Sequence, residues 1–417
     1  MLTQNLGLVE EFIHHGAPIF RRTNLAMFAA GVATFGLLYC VQPLMPEFSR
    51  YYGLSAATSS LCLSLTSGLL ALAMLIAGVL ADAWGRKTIM SISLSLSAVL
   101  VLLSAIAPDW PTLLVLRSLL GLSLSGVPAV AMAYLGEEMH PDSIGLAMGL
   151  YIGGSAVGGM GGRLLVGVVA DFFGWRIGVG VMGVVGLLAA ALFFRSLPPS
   201  RHFTAQPLHL RALPTRYAAL FMDRGLPWLF AEGFLLLGAF VTVYNYIGYR
   251  LMAQPYALSQ AAVGLIFSVY LVGTISSTWV GHLAGRIGRR KVLWSMYVLM
   301  LAGVVLTTMA SLWIIIAGII VVTFGFFGGH SIVSSWIGRR STGAKAHAAS
   351  MYLFFYYLGS SVAGSLGVLF YAADGWRGVA AFVCALWGLG LLIAWRLFYL
   401  EPLQGLPLAT PVRHIDG

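Results

Sequence analysis

Apolar stretches of about 20 residues, the length a helix needs to cross a bilayer, recur along the whole chain between short polar connections. Twelve are legible. The first six lie at 25–46, 56–81, 88–107, 112–135, 145–170 and 176–197. The second six lie at 226–249, 259–284, 292–310, 312–335, 348–371 and 377–399. The alternating segments of about 10 residues that mark a membrane β-barrel do not occur. The pattern predicts an all-α membrane protein of twelve transmembrane helices. One connection is long: 198–225 holds Pro198, Pro199, Arg201, Pro207, Arg211, Pro214, Arg216 and Arg224. This basic linker divides a first half, 24–197, from a second half, 226–399, with a lead at 1–23 and a tail at 400–417.

Composition agrees. The 417 residues are 59% hydrophobic and 9% charged, against roughly 25% charged in a soluble domain. The net charge of +10 raises the question of nucleic acid, and the placement of the basic residues sets it aside. Only Arg50, Arg176, Arg250 and Arg377 fall on the side away from the termini, and two more, Arg117 and Arg163, fall inside spans away from their ends. The other Lys and Arg share the side of the termini, which the positive-inside rule makes cytoplasmic. Glu10, Glu11, His14 and His15 precede the first span, unlike the order in a cleavable signal peptide. Cys40, Cys62 and Cys384 lie in apolar runs and read as packing residues, not as a disulfide or metal site. No metal-ligand spacing or nucleophile–base pair is visible, and the glycine clusters lack the Gly-Lys-Ser/Thr ending of a phosphate loop. Neither enzymatic activity nor a cofactor is expected.

A short motif occurs twice. Gly78-Val-Leu-Ala-Asp82-Ala-Trp-Gly85-Arg86-Lys87 joins the second and third spans. Gly281-His-Leu-Ala-Gly285-Arg-Ile-Gly288-Arg289-Arg290-Lys291 joins the eighth and ninth. Gly174-Trp175-Arg176 likewise recurs as Gly375-Trp376-Arg377, and in that register Tyr151 falls on Tyr352 and Gly158 on Gly359. The chain therefore reads as two parallel six-helix repeats. In the first loop, Gly78 and Gly85 are expected to permit close helix approach and a tight turn. Asp82 is expected to accept backbone N–H groups at a helix start, and Arg86 and Lys87 to face the anionic leaflet.

Titratable residues within spans carry the candidate chemistry. Glu232 lies about 10 Å into the seventh span among apolar residues, where a carboxyl serves as a proton carrier or as a structural partner. His330 is the second titratable candidate, or else a hydrogen-bonded core residue. Arg117 lies about 8 Å into the fourth span and either faces the bundle interior or snorkels. Arg163 closes the run Gly153-Gly154-Ser-Ala-Val-Gly158-Gly159-Met-Gly161-Gly162, whose small residues suit close packing, and it reads as snorkelling outward. Tyr39, Gln42, Asn245, Tyr352 and Tyr356 are candidate cavity residues, since aromatic faces suit flat or cationic solutes. An interfacial belt or core packing is the alternative, and it is favoured for Tyr249.

The repeated loop resembles the signature loop of the major facilitator superfamily of transporters. The resemblance covers residues 24 to about 400. It implies the major facilitator fold, with a solute site between the halves. It makes Asp82 a latch between the halves and leaves the second loop, with Gly285 in place of Asp82, without one. Arg117 with Gly121 resembles a fourth-helix motif implicated in proton coupling. The fifth span resembles the antiporter motif of drug exporters, with Gly158-Gly159 where they have Gly-Pro. The first span lacks the acid that many proton-driven exporters carry. Leu37–Pro43, Leu119–Gly126, Phe230–Arg250 and Ser334–Gly338 resemble YnfM-type bacterial inner-membrane transporters, which are linked to dye and drug efflux.

The resulting expectation is a monomeric secondary transporter of the bacterial inner membrane with both termini cytoplasmic. Proton influx drives export of a small organic solute, with Glu232 carrying the proton and Arg117 and His330 assisting. One alternative is a proton symporter importing a sugar or organic acid. Another, of a different class, is a non-transporting membrane sensor or scaffold.

Overall fold

The computed structural model describes residues 12–205, 207, 210–341 and 345–400. Residues 1–11 of the lead, including Glu10 and Glu11, and 401–417 of the tail lie outside the described residues. The first half comprises α1 (Pro18–Tyr39), α2 (Met45–Tyr52), α3 (Ala56–Trp84), α4 (Arg86–Ala105), α5 (Trp110–Leu124), α6 (Pro128–Glu138), α7 (Pro141–Phe173) and α8 (Trp175–Ser196). After α9 (Leu213–Leu220), the second half comprises α10 (Leu226–Met252), α11 (Gln260–Ile266), α12 (Tyr270–Ile287), α13 (Arg289–Thr307), α14 (Leu312–Arg340) and α15 (Lys345–Phe398).

Ten of the described helical segments are long and apolar enough to cross a membrane. Two more spans arise where proline or glycine interrupts the helical ladder. A continuous α15 of 54 residues would run about 80 Å, far beyond a hydrocarbon core of about 30 Å. It breaks at Asp374 and Gly375, the latter at φ 53°, so it makes two spans. The expected fourth span is likewise two helices, α5 and α6, parted at Ser125–Val127 before Pro128. The first span is longer than expected. After Tyr39 the chain bends through a 3-10 turn, Gln42–Leu44, containing Pro43, and continues as α2 to Tyr52. Proline lacks the N–H that a continuing helix needs.

The two six-helix repeats use the same crossing. Helix α7 packs on α1 through small residues: a Cβ on Gly158 would clash with the Val32 carbonyl, and one on Gly162 would lie 2.7 Å from Gly36 Cα. At the matching position of the second half, a Cβ on Gly359 would clash with the Phe234 carbonyl, seating α15 on α10. Gly85 (φ 94°) and Gly288 (φ 99°) turn the chain at equivalent helix junctions. Glycine is favoured there because an L side chain resists positive φ.

The linker is partly helical, which the proline and arginine content did not suggest. Pro214 opens α9 without losing a needed donor. The Tyr217 hydroxyl donates to the Leu75 carbonyl of α3 at 3.1 Å, and its ring meets His347 of α15. Phe221 packs against the stacked pair Phe230 and Phe355. Upstream, buried Glu138 accepts the backbone N–H groups of Arg201 (2.7 Å) and His202 (3.0 Å), tying the start of the linker to the end of α6.

Candidate functional site

Away from the helix ends, three charged side chains are fully buried among the described residues: Arg117, Arg163 and Glu232. Each sits in a different setting. Arg117 does not snorkel. Its Nη1 and Nη2 donate to the carbonyls of Leu37 (3.1 Å) and Leu38 (2.6 Å), and its Nε to that of Cys62 (3.4 Å). The end of α1 leaves carbonyls without helical partners, and the guanidinium takes them up. One turn later a Cβ on Gly121 would clash with the Thr66 carbonyl, which holds α5 against α3. Arg117 thus pins the bend of the first span.

Glu232 on α10 accepts a hydrogen bond at Oε2 from the Tyr297 hydroxyl of α13. Its Oε1 has no partner, and no basic side chain pairs with it among the described residues. Next along α10, Gly233 gives the Tyr352 ring its space: a Cβ there would lie 2.5 Å from that ring. The Tyr352 hydroxyl meets His330 Nδ1 at 2.7 Å, and the imidazole lies 4.6 Å from the Tyr356 ring. Glu232, Tyr297, Tyr352, His330 and Tyr356 form one buried cluster built from α10, α13, α14 and α15.

Arg163 on α7 also turns inward, and no snorkelling is seen. Its guanidinium carbon lies 4.2 Å from the Tyr39 ring centroid, 4.7 Å from that of Tyr270 and 5.0 Å from that of Phe267. Its Nε donates to Gln42 Oε1 at 2.7 Å, and Nη1 to the Gly159 carbonyl at 2.5 Å. Gln42 Nε2 in turn donates to Asn245 Oδ1 at 2.7 Å. Arg163 and Gln42 belong to the first half, and Asn245, Phe267 and Tyr270 to the second. Phe267 begins the 3-10 turn between α11 and α12, where the eighth span loses its regular ladder beside the guanidinium.

Further bonds join the halves on this far side, away from the termini. The Tyr249 hydroxyl bonds Ser49 at 2.9 Å and also Ser59, so it is an inter-half contact and not part of a lipid-facing belt. Gln260 Nε2 donates to Glu47 Oε2 at 3.2 Å.

The signature loops sit at the opposite end. Arg86 pairs with Asp82 and forks onto Glu137 of α6, with Nη2–Oε1 at 2.7 Å and Nε–Oε2 at 3.2 Å. Lys87 donates to the Leu197 carbonyl at 2.5 Å and lies 5.2 Å from the Phe194 ring. Both bases are therefore engaged by protein groups, because the ends of α6 and α8 offer acceptors within reach. Asp82 meets the guanidinium rather than backbone N–H groups. A Cβ on Gly78 would meet nothing within 4 Å, so close approach is not its role, whereas Gly85 does make the tight turn. In the second loop, Gly281 faces Ser331, and Arg290 donates to the carbonyls of Phe398 (2.6 Å) and Leu400. Arg289 has neighbouring Arg339 as an electrostatic partner of like sign.

At the end of the linker, Asp223 Oδ1 caps α10 through the N–H groups of Gly225 (2.7 Å) and Leu226 (2.8 Å) and receives Arg340 Nε at 2.5 Å. Burial pushes this carboxyl up, but the Arg340 and backbone donors outweigh burial and hold it below the usual carboxylate range. Glu137, Tyr297, Tyr270, Glu47 and Asp223 were not singled out from the sequence. Only Glu137 carried a signal, as one of the acid pair Glu137-Glu138 closing a span.

Two halves with matching glycine contacts and turns, bonded to each other by polar side chains at one end, follow the plan of a duplicated membrane protein. Comparison with known proteins agrees. The family model described as Major Facilitator Superfamily matches residues 27–254 and 233–411. The chain belongs to this superfamily.

This major facilitator is 48% identical over 394 residues to the inner membrane transport protein YnfM of Escherichia coli, covering 94% of each chain. It is 47% identical over 386 residues to the MFS-type transporter YybF of Bacillus subtilis, covering 91% of this chain and 96% of the relative. Among solved structures, the human organic anion transporter MFSD10 aligns with TM-score 0.72 and 17% identity over 91% of this chain and 100% of its own. A bacterial homologue of the lysosomal transporter Spinster aligns with TM-score 0.71 and 14% identity over 92% and 95%. At these identities the structures speak for the fold alone. The major facilitator is a multi-pass membrane transporter of small solutes and not an enzyme.

Proposed function

We propose that the protein is a proton-coupled exporter of small organic compounds in a bacterial inner membrane, working by alternating access between halves at 24–197 and 226–399. The 198–225 linker connects them, and the 1–23 lead and 400–417 tail are cytoplasmic. Glu232 carries this reading. A buried carboxyl with one phenol donor and one free oxygen has no cation to hold its charge, so a proton is the partner available to it. Tyr352, His330 and Tyr356 lie beside it, where solute contact and protonation would influence each other. Arg117 holds the bend of α1, and Asp82, Arg86 and Glu137, all of the first half, would form that half's side of a latch at the termini end. With the termini cytoplasmic, the bonded far side is external. The unit of function is the monomer.

The test is accumulation of a panel of fluorescent solutes of either charge in cells depleted of their main exporters. Wild type, Glu232→Gln and empty vector are compared with and without a proton ionophore. Lower accumulation with wild type, abolished by the ionophore and by Glu232→Gln, is expected. Export that survives both treatments sinks proton coupling. Accumulation higher than in the vector control points to proton-linked import.

A further inference from the structure

The surroundings of Arg163 have more hydrogen-bond donors than acceptors. The guanidinium is 1% exposed and has no carboxylate partner among the described residues. Its Nε and Nη1 are engaged, whereas Nη2 carries no hydrogen bond there. A second, independent orphan lies one link away. Asn245 is 1% exposed, and its Nδ2 is buried without a partner, since its amide spends only Oδ1 on Gln42. The hydroxyls of Tyr39 and Tyr270 make no hydrogen bond among the described residues, while their rings flank the guanidinium.

Holding a bare cation away from water is costly unless an anion joins it. Arg117 avoids that cost through three carbonyls, but Arg163 has only one carbonyl and one amide oxygen. The guanidinium fork matches carboxylate and sulfonate oxygens, and its aromatic frame matches a flat ring attached to them.

We infer that Arg163 and Asn245 form a binding site for an organic anion, an aromatic or other apolar body bearing a carboxylate or sulfonate, and that this is the solute class transported. The inference rests on the transporter reading above and departs from the cationic solutes that the aromatic residues alone suggested. Loaded from the termini side, the anion is released when Gln42 and Asn245 part. It takes the free donors of Arg163 and Asn245, and the rings of Tyr39 and Tyr270 bracket its body. Export of an anion against proton entry moves two charges in the same electrical sense for one-to-one exchange, so transport is electrogenic.

The test uses the full chain purified in detergent and ring-matched probes: naphthalene-1-sulfonate, naphthalene-1-carboxylate, naphthalene-1-methanol and (1-naphthylmethyl)trimethylammonium. Equilibrium binding is measured without a pH gradient for wild type, Arg163→Lys, Arg163→Gln and Asn245→Leu. The two anions are expected to bind and the other probes not. Arg163→Gln should weaken anion binding by about tenfold or more, with Arg163→Lys intermediate and Asn245→Leu weakened by about fivefold. Equal binding of anion and cation, or no anion binding, overturns the inference. So does anion affinity within about twofold of wild type in both Arg163→Gln and Asn245→Leu. If one variant fails to fold, the other decides. Flux of the same probes in proteoliposomes separates this inference from proton coupling. Arg163-dependent binding with flux indifferent to a proton gradient removes only the coupling. Proton-driven flux of the cation alone removes only the anion site.

Discussion

Gln42 and Asn245 meet amide to amide at 2.7 Å across the two halves, although 203 positions separate them. Gln42 passes the connection on to Arg163, so the contact between the halves and the buried cation form one unit. Tyr249 with Ser49 and Ser59 forms a second contact on the same side.

Tyr249→Phe removes both hydroxyl contacts while keeping the ring. Each net hydrogen bond is worth about 1 kcal/mol, so the far side should open more often by about fivefold or more. Spin-label distances between α2 and residues 253–258 measure this. An unchanged distribution would show that the contact does not bias the two states.

Glu232→Gln keeps the shape and the Tyr297 contact but cannot release a proton. Solute exchange without a gradient should persist, while uphill flux driven by a pH gradient should vanish. Counterflow and gradient-driven assays in the same vesicles separate these outcomes.

Gly158→Ala and Gly359→Ala each press a methyl group into a backbone carbonyl of the facing helix. Backbone cannot rotate aside as a side chain does, and overpacking of this kind costs about 1–3 kcal/mol. Both variants should lower the melting temperature in detergent. Gly78→Ala, with open space around it, should not.

Asp223→Asn tests the cap that joins α10 to Arg340. Because the folded carboxyl lies below its usual range, its contribution is present above the unfolded pKa of about 3.9 and lost as pH falls through the folded value. Near neutral pH the variant should therefore be less stable by about 1–2 kcal/mol. The gap should close below about pH 4. A gap that stays constant into acid would contradict the assignment.

Glu137→Gln should impair transport to a similar degree as Asp82→Asn, because one guanidinium serves both acids. Transport rates in vesicles at matched expression would show it. Full activity in Glu137→Gln would leave Asp82 as the sole partner that matters.

The twelve spans, the two repeats and the superfamily were legible because each leaves a local mark. A helix in lipid must be long, apolar and internally bonded, and a turn such as Gly85 or Gly288 needs glycine at a set spacing. Glu232 and Arg117 stood out for the same reason, as charges within apolar runs. The kinks were less legible. Pro43 and Pro128 were in view, but whether a proline bends a helix or opens a new one depends on what accepts the freed carbonyls.

Sequence alone therefore determined the class, the number of crossings and the pairing of the halves, which are properties of single segments and their repetition. Tertiary structure decided which charges have partners. Arg163 reads from the sequence as a charge late in the fifth span that snorkels outward, and only the approach of α10 and the α11–α12 turn makes it a caged cation one link from Asn245, whose Nδ2 has no partner. Arg117 and Arg163 look alike in the chain. They differ because carbonyls satisfy one, while rings, one carbonyl and one amide oxygen leave donors free on the other. Such differences arise from residues up to 203 positions apart, and no local pattern records them.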